Sequence, residues 1–327
     1  MKICSLLPSG TEILFALGLG EQLVGVSDLC DYPPESQGKQ VVCRSKVDAT
    51  VLSSDQVEKL MQRLLATGEN PYDLDTDWIR RNSPDVVLTQ DLCYYCEVDA
   101  EQVWDAVGPM ASPPRVVVLQ PRTVGEIFDS ILQVGDACGA RFEAAGLVEG
   151  LEERVRAITQ ALSGAAQRPR VFSLEGINPI VTGGHWIPDL LNLAGGRQEM
   201  FPPGCPAARP RWEDICAWAP EKLFIDLCSS GLDRNLREIP WLAGQEGWTR
   251  LPAVQNGEVY LLDHVYFSRP GPRIVQGLEI LAQLTHPESF SGCIPPNTVV
   301  KLDGGLADGC RPHEIAGCFR PYPVPPA

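Results

Sequence analysis

Short apolar runs alternate along this chain with stretches whose apolar residues recur every three or four positions. Ile3 to Leu7, Leu23 to Val26, Val41 to Cys43, Asp85 to Thr89 and Arg115 to Leu119 read as strands. The first, fourth and fifth are near-continuous apolar runs, the pattern of strands buried on both faces of a parallel sheet. Helical spacing fills the intervals. Ile13, Leu14 and Leu17 form one stripe, and Val57, Leu60, Met61 and Leu64 another within Asp55 to Leu65. Further helices are expected over Asp75 to Asn82, around 99–107 and over Val124 to Cys138. Ser9 and Glu12 have the spacing of a capping box, so a helix is expected to open at Ser9 and to end at Gly18 and Gly20.

One longer helical pattern follows at 141–163, with Leu147, Leu151, Val155, Ile158 and Leu162 on one face. The alternation then restarts. Val171 to Leu174, Leu223 to Leu227 and Glu258 to Leu262 read as strands, and Trp186 to Ala194, Trp212 to Ala219 and Pro272 to Leu284 as helices. Residues 288–327 are rich in Pro and Gly and are expected to be a tail with little regular structure. The expected divisions are an N-terminal α/β lobe at 1–140, a connecting helix at 141–165, a C-terminal α/β lobe at 168–287 and the tail. The fold class is therefore α/β: two Rossmann-like lobes joined by one long α-helix, with a ligand cleft expected between the lobes.

The stretch Ile177 to Trp186 stands out within this frame. It links a strand to a helix, where open α/β sheets place their ligand loops. It carries Asn178, Thr182, Gly183, His185 and Trp186 and no Lys or Arg, which suits a neutral ligand with hydrogen-bonding edges better than a phosphate. An ordinary strand-to-helix turn has the same pattern.

Charge narrows the partners. A net charge of −15 over 327 residues excludes the basic footprint that nucleic acid requires, and disfavours anionic lipid surfaces. No apolar run reaches the length of a membrane span, so no membrane insertion is expected. The opening Met1 to Leu7 is too short for the apolar core of a signal peptide and meets Pro8 at once. The chain as written is thus expected in the cytoplasm; a start displaced downstream of a leader would instead leave it periplasmic or extracellular. In a leaderless chain the 12 cysteines read as thiols or metal ligands rather than a disulfide framework.

Several stretches together resemble the helical-backbone substrate-binding proteins of ABC importers (periplasmic-binding-protein class III, TroA-like), in their cobalamin-binding branch. These are Leu7-Pro8-Ser9-Gly10-Thr11-Glu12-Ile13, Leu23-Val24-Gly25-Val26-Ser27, Asp31-Tyr32-Pro33 and Ser83-Pro84-Asp85-Val86-Val87. Gly176-Ile177-Asn178-Pro179 with Thr182 and Gly184, and Phe267-Ser268-Arg269-Pro270-Gly271-Pro272-Arg273, complete the set in the expected order. The resemblance implies a non-catalytic protein that binds a corrinoid such as vitamin B12 reversibly, as ligand rather than cofactor. Carried onto matching positions, its ligand loops are Pro8, Ser9, Gly10 and Thr11; Tyr32; the loop near Gln90; Asn178 to Trp186, including Thr182, Gly183 and His185; and Phe267 to Arg269. Trp212 is placed near the ligand by the same likeness, though at a different spacing. The implied partners are the corrinoid and an ABC permease, with the binding protein a monomer. The loop Cys43-Arg44-Ser45-Lys46 departs from the family by lacking an aromatic, and the tail lies outside the resemblance.

A corrin is a broad apolar macrocycle fringed with amides, so it calls for flat apolar contact and a few neutral polar groups. Tyr32, Trp186, Tyr266 and Phe267 offer the first, and Asn178, Thr182 and Gln90 the second. His185 and His264 fall in the same loops and could in principle approach a cobalt ion. The first alternative keeps the fold and exchanges the ligand for a ferric siderophore or haem. The second is a cytosolic zinc or thiol-redox protein built on Cys30, Cys93 and Cys96, because Cys93 and Cys96 have Cys-x-x-Cys spacing. No nucleophile elbow, phosphate loop or His-Glu-x-x-His pattern suggests catalysis.

Overall fold

A computed structural model describes residues 1–92, 100–164 and 167–322. The chain forms two compact units. The first comprises 1–48, 59–153 and 269–272; the second comprises 49–58, 154–268 and 273–327.

The first unit contains β1 (Ile3–Ser5), α1 (Pro8–Ala16), β2 (Leu23–Ser27), β3 (Gln40–Ser45), most of α2 (Ser54–Thr67) and β4 (Tyr72–Leu74). It continues with α3 (Thr76–Asn82), β5 (Val86–Gln90), α4 (Ala100–Val107), β6 (Arg115–Leu119), α5 (Val124–Cys138) and the opening of α6 (Arg141–Ala161). The sheet order is β4-β3-β2-β1-β5-β6, parallel except for the edge strand β4. β5 is buried along its whole length, as its apolar run requires of a strand covered on both faces. Helix ends follow local chemistry. Asp75 caps α3 by accepting the Trp78 N–H at 2.8 Å, and Thr123 caps α5 by accepting the Glu126 N–H at 3.2 Å. Cys4, Leu6, Val42, Tyr72, Ile79, Val87 and Val103 pack together in this unit's core.

α1 does not open as expected. Pro8 occupies its first turn, Leu7 is the flanking residue, and no side chain caps it. Glu12 is therefore no capping partner; it is buried and reaches Arg269 instead.

The second unit contains the rest of α6, then β7 (Val171–Ile177), β8 (Ile180–Thr182), α7 (Ile187–Leu193), α8 (Trp212–Trp218), β9 (Lys222–Ile225) and α9 (Leu232–Ala243). It ends with α10 (Pro252–Gln255), β10 (Val259–Leu262), α11 (Ile274–Thr285), β11 (Val299–Leu302), α12 (Gly304–Ala307) and β12 (Phe319–Pro321). The order is β12-β11-β10-β9-β7-β8, with β7, β9 and β10 parallel and the flanking strands antiparallel. The single long helix α6 carries the chain from the first unit into the second.

The described part of the expected tail, residues 288–322, is not loose as its composition suggested. β11 and β12 extend the sheet beyond β10, and Leu302, Ile315, Cys318 and Phe319 join the core that holds Phe172, Ile225, Trp248 and Leu261. Glu258 ties this extension down. It accepts from Lys222 Nζ at 2.5 Å, from Lys301 Nζ at 2.6 Å and from the Tyr260 hydroxyl at 2.6 Å. α9 is another element absent from the sequence reading. Its buried Asn235 donates to the carbonyls of Ile225 and Leu262, at the ends of β9 and β10.

Candidate functional site

In the first unit, chain order reverses at β1, which lies between β2 and β5. Such a reversal opens a crevice at the carboxyl ends of the strands, the usual ligand position in an open α/β sheet. Pro8, Ser9, Gly10 and Thr11 form the first turn of α1 there, and all four are buried. Gly10 is packed so closely that an added Cβ would meet Ser5 Oγ at 2.9 Å. The Thr11 hydroxyl donates to Cys30 Sγ at 3.1 Å, joining α1 to the loop after β2. Gln90 closes β5 and is buried.

Tyr32 lies in that same β2 loop, before a cis bond to Pro33, and its side chain is exposed. The loop is held by Arg269, which is buried and makes a two-pronged pair with Asp31: Nη1 to Oδ1, and Nη2 to Oδ2 at 3.0 Å. Arg269 Nη1 also lies 3.5 Å from Glu12 Oε1. Burial works against the Arg269 charge, but the Asp31 hydrogen bonds and the two carboxylate charges overcome it and raise the guanidinium pKa further. Arg269 thus organises loops; its charge is spent on Asp31 and Glu12.

The second unit shows why the Ile177 to Trp186 stretch has its sequence. It is a hairpin rather than a plain strand-to-helix loop. β7 turns at the cis Asn178–Pro179 bond and returns as β8, pairing Ile177 with Ile180 and Leu174 with Thr182. The Gly183 and Gly184 turn then passes beneath the segment around Cys205 to Ala208. Thr182 N–H donates to Ala208 O at 2.9 Å, and His185 N–H to Cys205 O at 2.6 Å. An added Cβ on Gly184 would come within 2.2 Å of Ala207 N, so only glycine fits there. His185 takes a left-handed φ of 54°, which leaves its ring partly exposed while Trp186 turns inward.

Trp186 is buried, and its indole N–H donates to Phe267 O at 2.7 Å. Phe267 is itself 1% exposed. Both rings, expected to face a ligand, are given to packing. Trp212 is likewise a core residue: it stacks on Trp248 at 6.4 Å and donates to Glu246 O at 2.8 Å. Asn178, at the hairpin tip, and Tyr266 and His264, after β10, keep partial exposure.

One buried group escaped the sequence reading. Asp226, at the carboxyl end of β9, is 1% exposed. The Ser173 hydroxyl donates to its Oδ1 at 2.7 Å, while Oδ2 has no partner among the described residues. Burial, offset only in part by the Ser173 hydrogen bond and the residue's own backbone N–H, pushes the Asp226 pKa up to about 7. Ser173 O in turn accepts from Gly183 N–H at 3.2 Å and from the Thr182 hydroxyl at 3.4 Å, so Asp226 sits at the root of the hairpin loop. An acid ending the apolar run Leu223-Phe224-Ile225 was the available signal.

A groove of about 550 Å³ also opens on this unit, lined by Thr50, Gly231, Arg234, Arg237, Asp263 and Asn297 among others. It contains none of the sequence candidates. Its two arginines are engaged, Arg234 with Glu238 at 2.7 Å and Arg237 with Thr50 O at 3.0 Å.

For a metal, no group of three or more His, Cys, Asp or Glu side chains gathers among the described residues. Cys30 is buried against Thr11, and Cys93 and Cys96 lie outside the described residues. No helix among the described residues is long and apolar enough to cross a membrane.

Comparison with known proteins now bears on this architecture. The sequence model described as periplasmic binding protein matches residues 3–266. The chain belongs to that family. An ABC transporter substrate-binding lipoprotein of Bacillus subtilis is 26% identical over 297 residues, covering 88% of this chain and 81% of that one. A vitamin B12-binding protein of Vibrio cholerae is 24% identical over 290 residues, covering 85% and 86% of the two chains. Among solved structures, a periplasmic heme-binding protein from Pseudomonas aeruginosa superposes with a TM-score of 0.63 at 19% identity, covering 88% of this chain and 93% of that one. This last likeness carries the fold.

This periplasmic binding protein is thus one of a family of non-catalytic solute binders. The expectation of a cytoplasmic location is overturned. Its relatives are periplasmic proteins or lipoproteins, so the location they indicate is extracytoplasmic. The N-terminal pattern misled because a leader is a separate segment, and the first strand of the folded protein says nothing about one.

Proposed function

We propose that this chain is the binding component of an ABC importer, that its partner is a permease, and that its ligand is a corrinoid bound without covalent chemistry. The observation that carries the ligand class is electrostatic. Among the candidate ligand residues, those that keep exposure are neutral: Tyr32 in the first unit is exposed, and Asn178, His185 and Tyr266 in the second are partly so. The arginine of the candidate set, Arg269, already holds two carboxylates. That suits an amide-fringed macrocycle better than an anionic chelate, whose carboxylates would call for unengaged guanidinium groups. The vitamin B12-binding relatives support the same ligand.

The contacts we assign are Tyr32, Asn178 and His185. Pro8 to Thr11, Gln90, Thr182 and Gly183 shape the loops, and Trp186, Trp212, Phe267 and Arg269 support them. A haem reading is kept because a heme-binding protein shares the fold. Titrating the full chain with cyanocobalamin and, separately, with hemin, by calorimetry and absorbance, tests both. The expected result is saturable cobalamin binding, weakened about tenfold or more in Tyr32→Ala or Asn178→Ala. No heat with cobalamin at tens of micromolar, together with a hemin absorbance shift, would transfer the site to haem.

A further inference from the structure

Two of the three cysteines of the C-terminal extension, Cys310 and Cys318, meet in space. Cys310 Sγ and Cys318 Sγ lie 3.5 Å apart. Cys310 is half-buried and Cys318 is buried. Cys310 lies two residues before the short helical segment 312–318 and Cys318 ends it; the segment opens on Pro312 and leads directly into β12. Cys318 O accepts from Asp303 N–H at 2.9 Å, and Phe319 pairs with Leu302 and enters the core. No third His, Cys, Asp or Glu completes a metal site here among the described residues. The matched family region ends at residue 266, so this pair lies wholly outside it.

We propose that Cys310 and Cys318 form an intramolecular disulfide that closes the connection between β11 and the edge strand β12, immediately before β12 begins. Bonded sulfurs lie about 2.05 Å apart, a distance side-chain rotation can reach from contact. The extracytoplasmic location supplies the oxidising setting in which such bonds persist. The oxidant is a disulfide, of a dithiol oxidase or of glutathione. The Cys310 thiolate, nearer solvent, attacks one sulfur of that disulfide and forms a mixed disulfide, releasing the other sulfur as a thiolate. The Cys318 thiolate then displaces the second. Two protein thiols are oxidised, the oxidant's disulfide is reduced to two thiols, and the two protons pass to the departing sulfurs. The segment closed is short and rich in turn residues, and tying it limits the freedom of β12 in the unfolded chain.

The test uses the full-length protein folded in a mixed oxidised and reduced glutathione buffer, quenched with acid and alkylated before and after reduction. The tryptic fragment that begins at Leu302 contains only Cys310 and Cys318 among the cysteines. It is expected to be lighter by two hydrogen atoms and to resist alkylation until reduced. Reductant is expected to lower the melting temperature by about 5 °C in the parent and in Cys293→Ser, but not in Cys310→Ser. Cys310→Ser is preferred to Cys318→Ser because Cys318 is in the core and its loss could unfold the unit. Full alkylation of both thiols in the folded, glutathione-equilibrated protein overturns the proposal. So does one equivalent of bound zinc that disappears in Cys310→Ser.

Discussion

Asp226 and Arg269 show two ways of burying a charge. Arg269 is paired, so burial costs it little: Asp31 and Glu12 outweigh desolvation. Asp226 is desolvated with only the Ser173 hydroxyl and its own backbone N–H against that burial and the Cys228 thiol nearby, so it holds its proton until about pH 7. The linkage follows. Between the unfolded value near 4 and about 7 the folded chain binds the extra proton, so stability contributed here is greatest at low pH and falls as pH rises through that window. Asp226→Asn removes the titration and keeps an acceptor for Ser173. Relative to the parent, this variant is expected to gain about 3 kcal/mol between pH 5 and pH 8 in urea unfolding. A stability difference that does not change with pH would mean that Asp226 titrates normally. A loop-holding or carboxylate-binding role for Arg269 was readable from its residue type, but the partners of neither group were. Asp31 and Arg269 stand 238 positions apart, and Ser173 and Asp226 stand 53 apart. Residue type alone does not pair such groups.

At the scale of elements, the legible parts were those whose packing writes one period into the chain. β5 shows this with five buried residues, and α5 with its apolar stripe and Thr123 cap. The illegible parts are those that another feature conceals. β8 is three residues long and follows a proline. α9 buries Ile239 and Leu242 but carries Pro240 between them, which reads as a breaker. β11 and β12 lie in a segment whose Pro and Gly content suggests a tail. Their integration makes a sharp prediction. Removing residues 288–327 would strip β10 of its antiparallel neighbour, open the core at Ile315 and Phe319, and leave Glu258 without Lys301. The truncated chain is expected to lose cooperative unfolding and to aggregate through the bared β10 edge, as light scattering during thermal melts would report. The single change Lys301→Met removes one of the two cations on Glu258 and is expected to cost only about 1 kcal/mol, because both groups are partly solvated. A truncated protein that melts like the parent would show the extension to be an ornament.

For the whole molecule, binding and stability are one equilibrium. A ligand that binds only the folded state raises its stability by RT ln(1 + [L]/Kd), about 2.7 kcal/mol at a hundredfold excess over Kd. For domains of this size that shifts the melting temperature by roughly 5–10 °C. Cyanocobalamin in such excess is expected to produce a shift of this size in the parent, a smaller one in Tyr32→Ala at equal concentration, and none with an unrelated anionic dye. Ionic strength adds a second axis. The chain carries a net charge of −15, so an anionic ligand such as haem has to approach against that field and should bind better as salt screens it. A neutral, amide-fringed corrinoid should be nearly indifferent to salt. The thermal shift measured with each ligand at low and at physiological salt therefore separates the two. A salt-independent cobalamin shift supports the corrinoid assignment. A hemin shift that grows with salt, beside no cobalamin shift, assigns the same loops to an anionic tetrapyrrole.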